Sequence, residues 1–208
     1  MEKTIITISR EFGSGGRLIG KRLAEKLGVP YYDKELLDRI AEESGFCREM
    51  MEDAEKKAKN SFLYSLMSAM GTGETGPESL SLNERFFLAQ FDTLRKIAEE
   101  GSCVIVGRCA DYILRGVPEA TNVFIYAEEA DKIKRAVDEY GVPQAEVKKM
   151  MKDTDKARAN YYNYHTGRKW GEQVNYHLSI DSGYLEIEDI VDLIISYTEK
   201  KIKRMPSY

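Results

Sequence analysis

A glycine-rich segment follows the first apolar run of the chain. Thr4–Ile8 is short, apolar and β-branched, which predicts a buried strand, and three glycines lie within Gly13–Gly16. Where a glycine-rich turn opens a helix, its backbone amides face one concavity, and the helix dipole there favours an anion such as phosphate. The expected phosphate-binding residues are Gly13, Ser14, Gly15 and Gly16. A tight strand-to-helix turn without a ligand is the alternative, because glycines serve that purpose equally well.

Two arginines flank this loop, Arg10 and Arg17. A cation near a helix N-terminus is slightly unfavourable, so we interpret both side chains as phosphate contacts rather than as exposed charges. Compared with the pattern G-x-x-x-x-G-K-[ST], Arg10 stands at the first glycine, and Gly16-Arg17 replaces the lysine and the hydroxyl residue. The lysine that reaches the β- and γ-phosphates is therefore missing. Arg17, as a catalytic cation, and Arg10 are the nearest substitutes for its charge.

Polar residues also follow the next two predicted strands. Asp33 comes after Tyr31-Tyr32, and Arg108 comes after Cys103–Val106, the most uniformly apolar strand. Ligands of α/β sheets bind at the carboxyl ends of strands, so both residues are candidate binding groups. A structural ion pair is the alternative for Arg108, since a buried guanidinium needs a partner. For Asp33, a helix N-cap is as good an interpretation as contact with the acceptor or with metal-bound water.

The segment Lys148–Lys169 is rich in lysine and arginine and predicts a mobile lid. Phosphoryl transfer spreads negative charge over the γ-phosphoryl oxygens, and an arginine on a closing lid stabilises that charge. Arg158 is the first candidate for this role and Arg168 the second. The alternative is a solvated helix in which Asp155 and Arg158 form an i, i+3 ion pair.

Aromatic side chains are interleaved with the charges of this segment: Tyr161, Tyr162, Tyr164, His165 and Trp170. They can stack on a nucleobase or on single-stranded RNA. More often, such residues pack a helix against a core. A formal net charge of −4 disfavours a nucleic-acid partner, because the chain has no overall attraction for polyphosphate.

Strands and helices alternate along most of the 208 residues, which predicts a parallel sheet with helices on both faces. A chain of this length buries about 70% of its unfolded surface and needs no disulfide or metal for stability. We expect a single domain, 1–208, and no metal site. Its parts are a core (1–45, 86–147 and 176–208), a helical insertion (46–85) and the lid (148–175).

The three cysteines are odd in number and form no C-x-x-C pair, which favours a reducing, cytoplasmic setting. No apolar run approaches the roughly 18 residues that a membrane span requires. We therefore expect a cytoplasmic protein without membrane contacts. The sequence does not specify the oligomeric state.

The order of these segments resembles the cytidylate kinase-like family of P-loop nucleotide kinases. The resemblance rests on ISREFGSGGRLIGKRLAEKLG, YYDKELL, CVIVGRCADYIL, DTDKARANYYNYHTGRKWG and NYHLSIDSG, which span almost the whole chain in family order. It implies a P-loop NTPase-type sheet, a monophosphate-binding insertion and a lid. It also implies that Arg108 grips an acceptor monophosphate. Cys109 stands where the family has aspartate, and Asp111, one turn away, is the candidate replacement.

The activity implied by this resemblance is transfer of the γ-phosphoryl group of ATP, with Mg²⁺, to a small phosphorylated acceptor. A nucleoside monophosphate, CMP or dCMP, is the first expectation. A nucleotide-binding module without turnover is the main alternative, because the P-loop lysine is absent.

Overall fold

The computed structural model describes residues 3–44 and 82–204. Its strands are β1 (Ile5–Arg10), β2 (Tyr31–Tyr32), β3 (Cys103–Val106), β4 (Ala120–Tyr126) and β5 (Leu178–Asp181). Its α-helices are α1 (Gly16–Leu27), α2 (Leu36–Ser44), α3 (Leu82–Glu100), α4 (Ala110–Ile113), α5 (Glu129–Asp138), α6 (Val147–Thr166) and α7 (Ile187–Lys203). A short 3₁₀ turn, Gln173–Asn175, precedes β5.

The five strands form one parallel sheet in the order β2-β3-β1-β4-β5. In the central strand, Ile8 pairs with Val106 on one side and with Val123 on the other. Because all strands run in the same direction, the residues that follow β1, β2 and β3 meet at one edge of the sheet.

Two apolar layers cover the two faces of this sheet. Ile5 and Ile105 pack with α2, α3 and α4, whereas Ile6, Val104 and Val106 pack with α1 and α7. The alternation follows from the two-residue period of a strand, and the burial of both faces explains why β3 is uniformly apolar. The α/β fold with helices on both faces is thus confirmed.

A third apolar cluster joins α5 and α6 to the loop after β1. Val142, Val147 and Met151 are buried together, and Phe12 packs against them. The N-terminal half of the predicted lid is therefore docked beside the glycine-rich loop.

The structure differs from the sequence expectations mainly at element ends. β1 runs to Arg10 instead of stopping at Ile8, because its pairing with β4 continues to Arg10↔Ile125. The short helix α4 was not expected. Only part of the predicted lid is helical, because α6 ends at Thr166 and Gly167 then adopts a left-handed conformation. Of the predicted insertion, residues 46–81 lie outside the described residues, and α3 begins at Leu82.

Within residues 3–44 and 82–204, the helices are too short or too polar to cross a membrane.

Candidate active site

The glycine-rich loop is held rigidly from the side of the core. Arg135 Nη1 donates a hydrogen bond to the carbonyl of Gly13 (2.9 Å), and Ser182 Oγ donates one to the carbonyl of Ser14 (2.6 Å). Ser14 is fully buried, and its hydroxyl donates to the carbonyl of Glu11 (2.9 Å). Gly15 has φ 78° and directly precedes the first turn of α1. The predicted loop thus opens a helix, and its carbonyls are fixed by the core.

Gly13 is required by space as well as by backbone conformation. Its φ is 79°, and a Cβ atom at this position would lie 2.5 Å from the carbonyl oxygen of Lys132 in α5. The close approach between loop and helix therefore excludes any side chain.

We expect Gly13→Ala to destabilise the protein by about 2–3 kcal/mol, from left-handed strain plus the collision with Lys132. Gly28→Ala is the matched control, because Gly28 also has a positive φ (64°) but has open space around it. The free energy of unfolding of Gly28→Ala should fall by only about 1 kcal/mol. Urea unfolding measures both, and equal losses would show that the Lys132 contact has no effect.

A cleft of about 800 Å³ opens where β1, β2 and β3 end and α6 crosses above them. It is lined by Arg10, Arg17, Asp33, Lys34, Val106, Arg108, Asp153, Thr154, Lys156, Ala157, Arg158 and Tyr161. Four predicted arginines and Asp33 therefore meet at one place. Arg168 lies elsewhere, with its guanidinium 5.5 Å from the ring of Tyr112 and Nη1 3.5 Å from Asn175 Oδ1.

Asp33 is an ion-pair partner at the base of this cleft. Its carboxylate is buried, with Oδ2 2.6 Å from Arg17 Nε and Oδ1 3.8 Å from Arg10 Nη2. The two arginines, which come from opposite ends of the glycine-rich loop, are thereby fixed relative to the end of β2.

Positive charge exceeds negative charge in the cleft. Six cationic side chains and two carboxylates stand among the described residues that line it. Burial lowers the pKa of Arg108 and of Arg158, and burial together with Arg158 lowers the pKa of Arg10 to about 9. All three guanidinium groups remain charged at neutral pH. Repelling cations held this close are stabilised by an anion of several charges.

The backbone is strained where Arg108 enters the cleft. Gly107, Arg108 and Cys109 have φ values of 78°, 60° and 53°, so three successive residues are left-handed. For a residue with a side chain, this conformation costs roughly 1–3 kcal/mol. Gln90 Nε2 donates to the carbonyl of Arg108 (2.9 Å), and Tyr161 Oη donates to Gln90 Oε1 (3.4 Å). These contacts hold a strained turn that directs a charged residue to the end of β3.

Sequence reasoning missed the support that Gln90 and Tyr161 give to this turn, although it named Tyr161 as a candidate for stacking on a base. The available signal was a glutamine on the apolar face of a long amphipathic helix, where Gln90 is fully buried.

Asp111, the candidate replacement for the family's aspartate, is not among the described residues that line the cleft. Its carboxylate accepts hydrogen bonds from Tyr162 Oη (2.7 Å) and Ser9 Oγ (3.4 Å), and burial raises its pKa. Cys109 is buried too, and burial raises the pKa of its thiol well above the ordinary range. A thiol of this kind is a packing group rather than a nucleophile.

The predicted pair of Asp155 and Arg158 exists, but it is not a solvated pair on a helix surface. Asp155 Oδ1 accepts hydrogen bonds from Phe12 N (2.7 Å) and Arg158 Nη1 (3.1 Å). Arg158 Nη1 also donates to the carbonyl of Arg10 (3.1 Å). The pair therefore ties α6 to both sides of the turn after β1, which places Arg158 over the cleft.

The aromatic residues of the predicted lid pack mainly against the core. His165 stacks on Phe87 of α3, with ring centroids 4.2 Å apart and planes 8° apart. Trp170 contacts Phe124 edge to face at 5.4 Å, and Tyr162 is buried against Asp111. These rings join α6 and the segment after it to the body of the protein, which favours packing over a stacking surface for nucleobases.

Burial lowers the pKa of His165 to about 4. In the unfolded chain the imidazole titrates near 6.5, so the unfolded state binds the proton first as the pH falls. Stability linked to this group is complete above pH 6.5 and is lost as the pH falls through 4.

We therefore expect the free energy of unfolding to fall more steeply between pH 6.5 and 4 in the wild type than in His165→Phe. Over this pH range the wild type should lose about 1–2 kcal/mol more unfolding free energy than His165→Phe, after allowance for solvent screening of the half-buried ring. Urea titrations at several pH values measure it, and phenylalanine retains the stack on Phe87. Parallel pH curves would mean that His165 does not contribute.

The donor set does not fit a magnesium ion held by the protein. The hydroxyl residue that binds Mg²⁺ in the usual loop is replaced by Arg17, and the Ser14 hydroxyl points to Glu11. Asp33 forms ion pairs with two arginines. Over the described ranges, no group of three or more histidine, cysteine or acidic side chains is arranged to hold a metal. We therefore assign no side chain to Mg²⁺.

Comparison with known proteins agrees with this geometry. A sequence profile of the cytidylate kinase-like family matches residues 5–184. The chain belongs to the cytidylate kinase-like family. The match includes the glycine-rich loop, the arginines of the cleft and all of α6, and it ends before α7. A search of curated proteins found no match.

Solved structures extend the similarity. An uncharacterised protein from Eubacterium ventriosum ATCC 27560 is 33% identical, with a TM-score of 0.71, over 95% of this chain and 99% of that one. The shikimate kinase from Acinetobacter baumannii, solved with shikimate, has a TM-score of 0.52 at 13% identity over 99% and 97% of the two chains. That from Bacteroides thetaiotaomicron has a TM-score of 0.51 at 18% identity over 94% and 98%. The two kinases show that this cytidylate kinase-like protein has the fold of P-loop kinases.

Proposed function

We propose that this protein transfers the γ-phosphoryl group of a nucleoside triphosphate, ATP in the first instance, to a nucleoside monophosphate, with CMP or dCMP as the first acceptor to test. The observation that carries the proposal is the surplus of buried arginines in the cleft beside the glycine-rich loop. Family membership gives the reaction class.

The proposed roles follow from position. The backbone of Gly13, Ser14, Gly15 and Gly16 forms the cradle for the triphosphate at the N-terminus of α1. Arg10 neutralises phosphate charge and Arg108 binds the acceptor phosphate. Arg17, at the mouth of the cleft, and Arg158 stabilise the charge that develops on the transferred group. Asp33 holds Arg10 and Arg17 in place and stands between the donor and acceptor sides. Arg168 is the second lid candidate, and only a shift of the segment after α6 would bring it to the cleft.

ATP and Mg²⁺ are the proposed cofactors, with Mg²⁺ entering as the counterion of ATP. ATP and nucleoside monophosphates are plentiful in the cytoplasm, so we propose that the protein acts there. We propose one kinase-like domain in which residues 46–85 contribute to acceptor binding and 148–175 form the lid. A single-stranded RNA ligand is disfavoured, because the aromatic rings that would stack on bases are mostly packed against the core.

The test is a phosphoryl-transfer screen in which the phosphorylated product is detected directly. ATP, GTP, CTP and UTP are each combined with CMP, dCMP, UMP, AMP, GMP and a panel of small alcohols. Transfer to one or a few acceptors is the expected result. The control is Arg22→Ala, an exposed arginine of α1 paired with Glu188, which should leave transfer unchanged. Measurable ATP binding without transfer to any acceptor would assign the protein to nucleotide-binding modules without turnover.

A further inference from the structure

Gly16 stands where a phosphate loop has its lysine, and its backbone does not require glycine. It is the first residue of α1 and lies outside the left-handed region. In a helical conformation alanine is ordinarily preferred to glycine, so another constraint favours glycine here.

That constraint is the side chain of Arg10. A Cβ atom on Gly16 would lie 2.5 Å from Arg10 Cβ and 3.0 Å from Arg10 Cγ. Real side-chain atoms do not approach so closely, and these atoms are at the rigid base of the arginine rather than at its flexible end. The stem of Arg10 thus fills the space from which a lysine at position 16 would start.

The other end of Arg10 lies deep in the cleft. Its Nη1 packs against the backbone of Gly107, so closely that a Cβ on that glycine would collide with it. Nη2 lies 3.8 Å from Asp33 Oδ1, and the whole side chain is only 17% exposed. The guanidinium therefore sits among the ends of β1, β2 and β3, between the glycine-rich loop and Arg108.

Arg10 also carries an unused donor. Its Nε–H is buried and makes no hydrogen bond within the described part of the chain. A buried donor without an acceptor destabilises the folded protein, and a phosphate oxygen is a strong acceptor for a guanidinium.

We infer that Arg10 is the cation that replaces the lysine of the phosphate loop, and that Gly16 is a glycine because the stem of Arg10 excludes a side chain there. The charge has moved from the start of α1 to the end of β1. This inference rests on the proposed function, since it assigns Arg10 to the β- and γ-phosphates of the triphosphate.

Calorimetry with ATP and AMP tests the assignment in Arg10→Met, which retains the stem but removes the charge. ATP affinity should fall about ten- to hundredfold, the range for a hydrogen bond to a charged group, while AMP affinity changes less than threefold. Arg22→Met, an exposed arginine of α1, is the matched control and should bind both ligands normally. Unchanged ATP affinity in Arg10→Met, or an equal loss for ATP and AMP, would overturn the inference.

A swap of the two positions tests the replacement itself. Gly16→Lys alone should lose ATP binding and melt at lower temperature, because its Cβ collides with Arg10. Arg10→Gly combined with Gly16→Lys should bind ATP at least about tenfold more tightly than Arg10→Gly alone. If a folded double variant regained no ATP affinity relative to Arg10→Gly, a lysine at position 16 could not do the work of Arg10, and the replacement would be disproved.

The steric part has its own measurement, which does not need a nucleotide. Gly16→Ala should destabilise the wild type and should be neutral or stabilising in the Arg10→Gly background.

If the wild type bound none of the four nucleoside triphosphates, the proposed function and the phosphate role of Arg10 would both fail. If the wild type bound ATP and Arg10→Met bound ATP with the same affinity, only the role of Arg10 would fail.

Discussion

Turnover of Arg17→Ala is expected to fall by at least about a hundredfold, with a much smaller change in ATP affinity. Arg17 lies in the first turn of α1 at the mouth of the cleft, and its side chain is 52% exposed. Water screens an exposed cation, so its contribution to ground-state binding is small. Charge that develops on the transferred group within the cleft is screened less than charge exposed to water. Loss of one preorganised donor to that charge then lowers turnover by about a hundredfold or more.

Steady-state kinetics with the acceptor found in the screen, together with ATP calorimetry, measure the two effects. Arg22→Ala is the control, because Arg22 is an exposed arginine of the same helix and pairs with Glu188 and Glu25 outside the cleft. Turnover that survives the loss of Arg17 would mean that another cation carries this charge. Arg158→Ala in the same assay would then identify the lid as its source.

The elements that sequence predicted best are those in which local pattern and core burial agree. Cys103–Val106 has its predicted bounds, because its uniformly apolar residues are buried between the two helical layers. Leu82–Glu100 and Ile187–Lys203 are long amphipathic helices whose apolar periodicity defines their buried faces. Their ends are also marked in the sequence, as at Gly101 after α3. The positions of Arg10, Asp33 and Arg108 at one sheet edge follow from the parallel topology alone.

The contacts that sequence did not predict join residues far apart in the chain. Asp155 accepts a hydrogen bond from Phe12, 143 positions away, and Gln90 supports the strained turn at Arg108. Nothing in local periodicity identifies such partners. The steric relation between Arg10 and Gly16 is also invisible in the sequence, since it depends on how the strand end lies against the start of α1.

Arg108→Ala is expected to weaken acceptor binding by roughly 1.5–3 kcal/mol and to leave ATP binding nearly intact. Arg108 is buried at the end of β3, and burial lowers its pKa because the charged form is poorly solvated. The strained turn that presents it is stabilised through Gln90. A monophosphate bound bidentately would offset the cost of burying this charge. Removal of the guanidinium should therefore lower the affinity for the acceptor by about ten- to 150-fold.

Calorimetry with CMP, or with the acceptor that the screen identifies, and with ATP decides between binding and a structural role. Arg108→Asn is the matched variant, because asparagine tolerates a φ of 60° better than alanine and so separates loss of charge from added strain. Arg108→Lys retains the charge without the bidentate fork and should recover only part of the affinity. Removing a cation that only binds the acceptor should lower the affinity for that one ligand and leave the fold intact. Equal losses of affinity for both ligands, or a large fall in the melting temperature of Arg108→Asn, would therefore assign Arg108 to a structural ion pair.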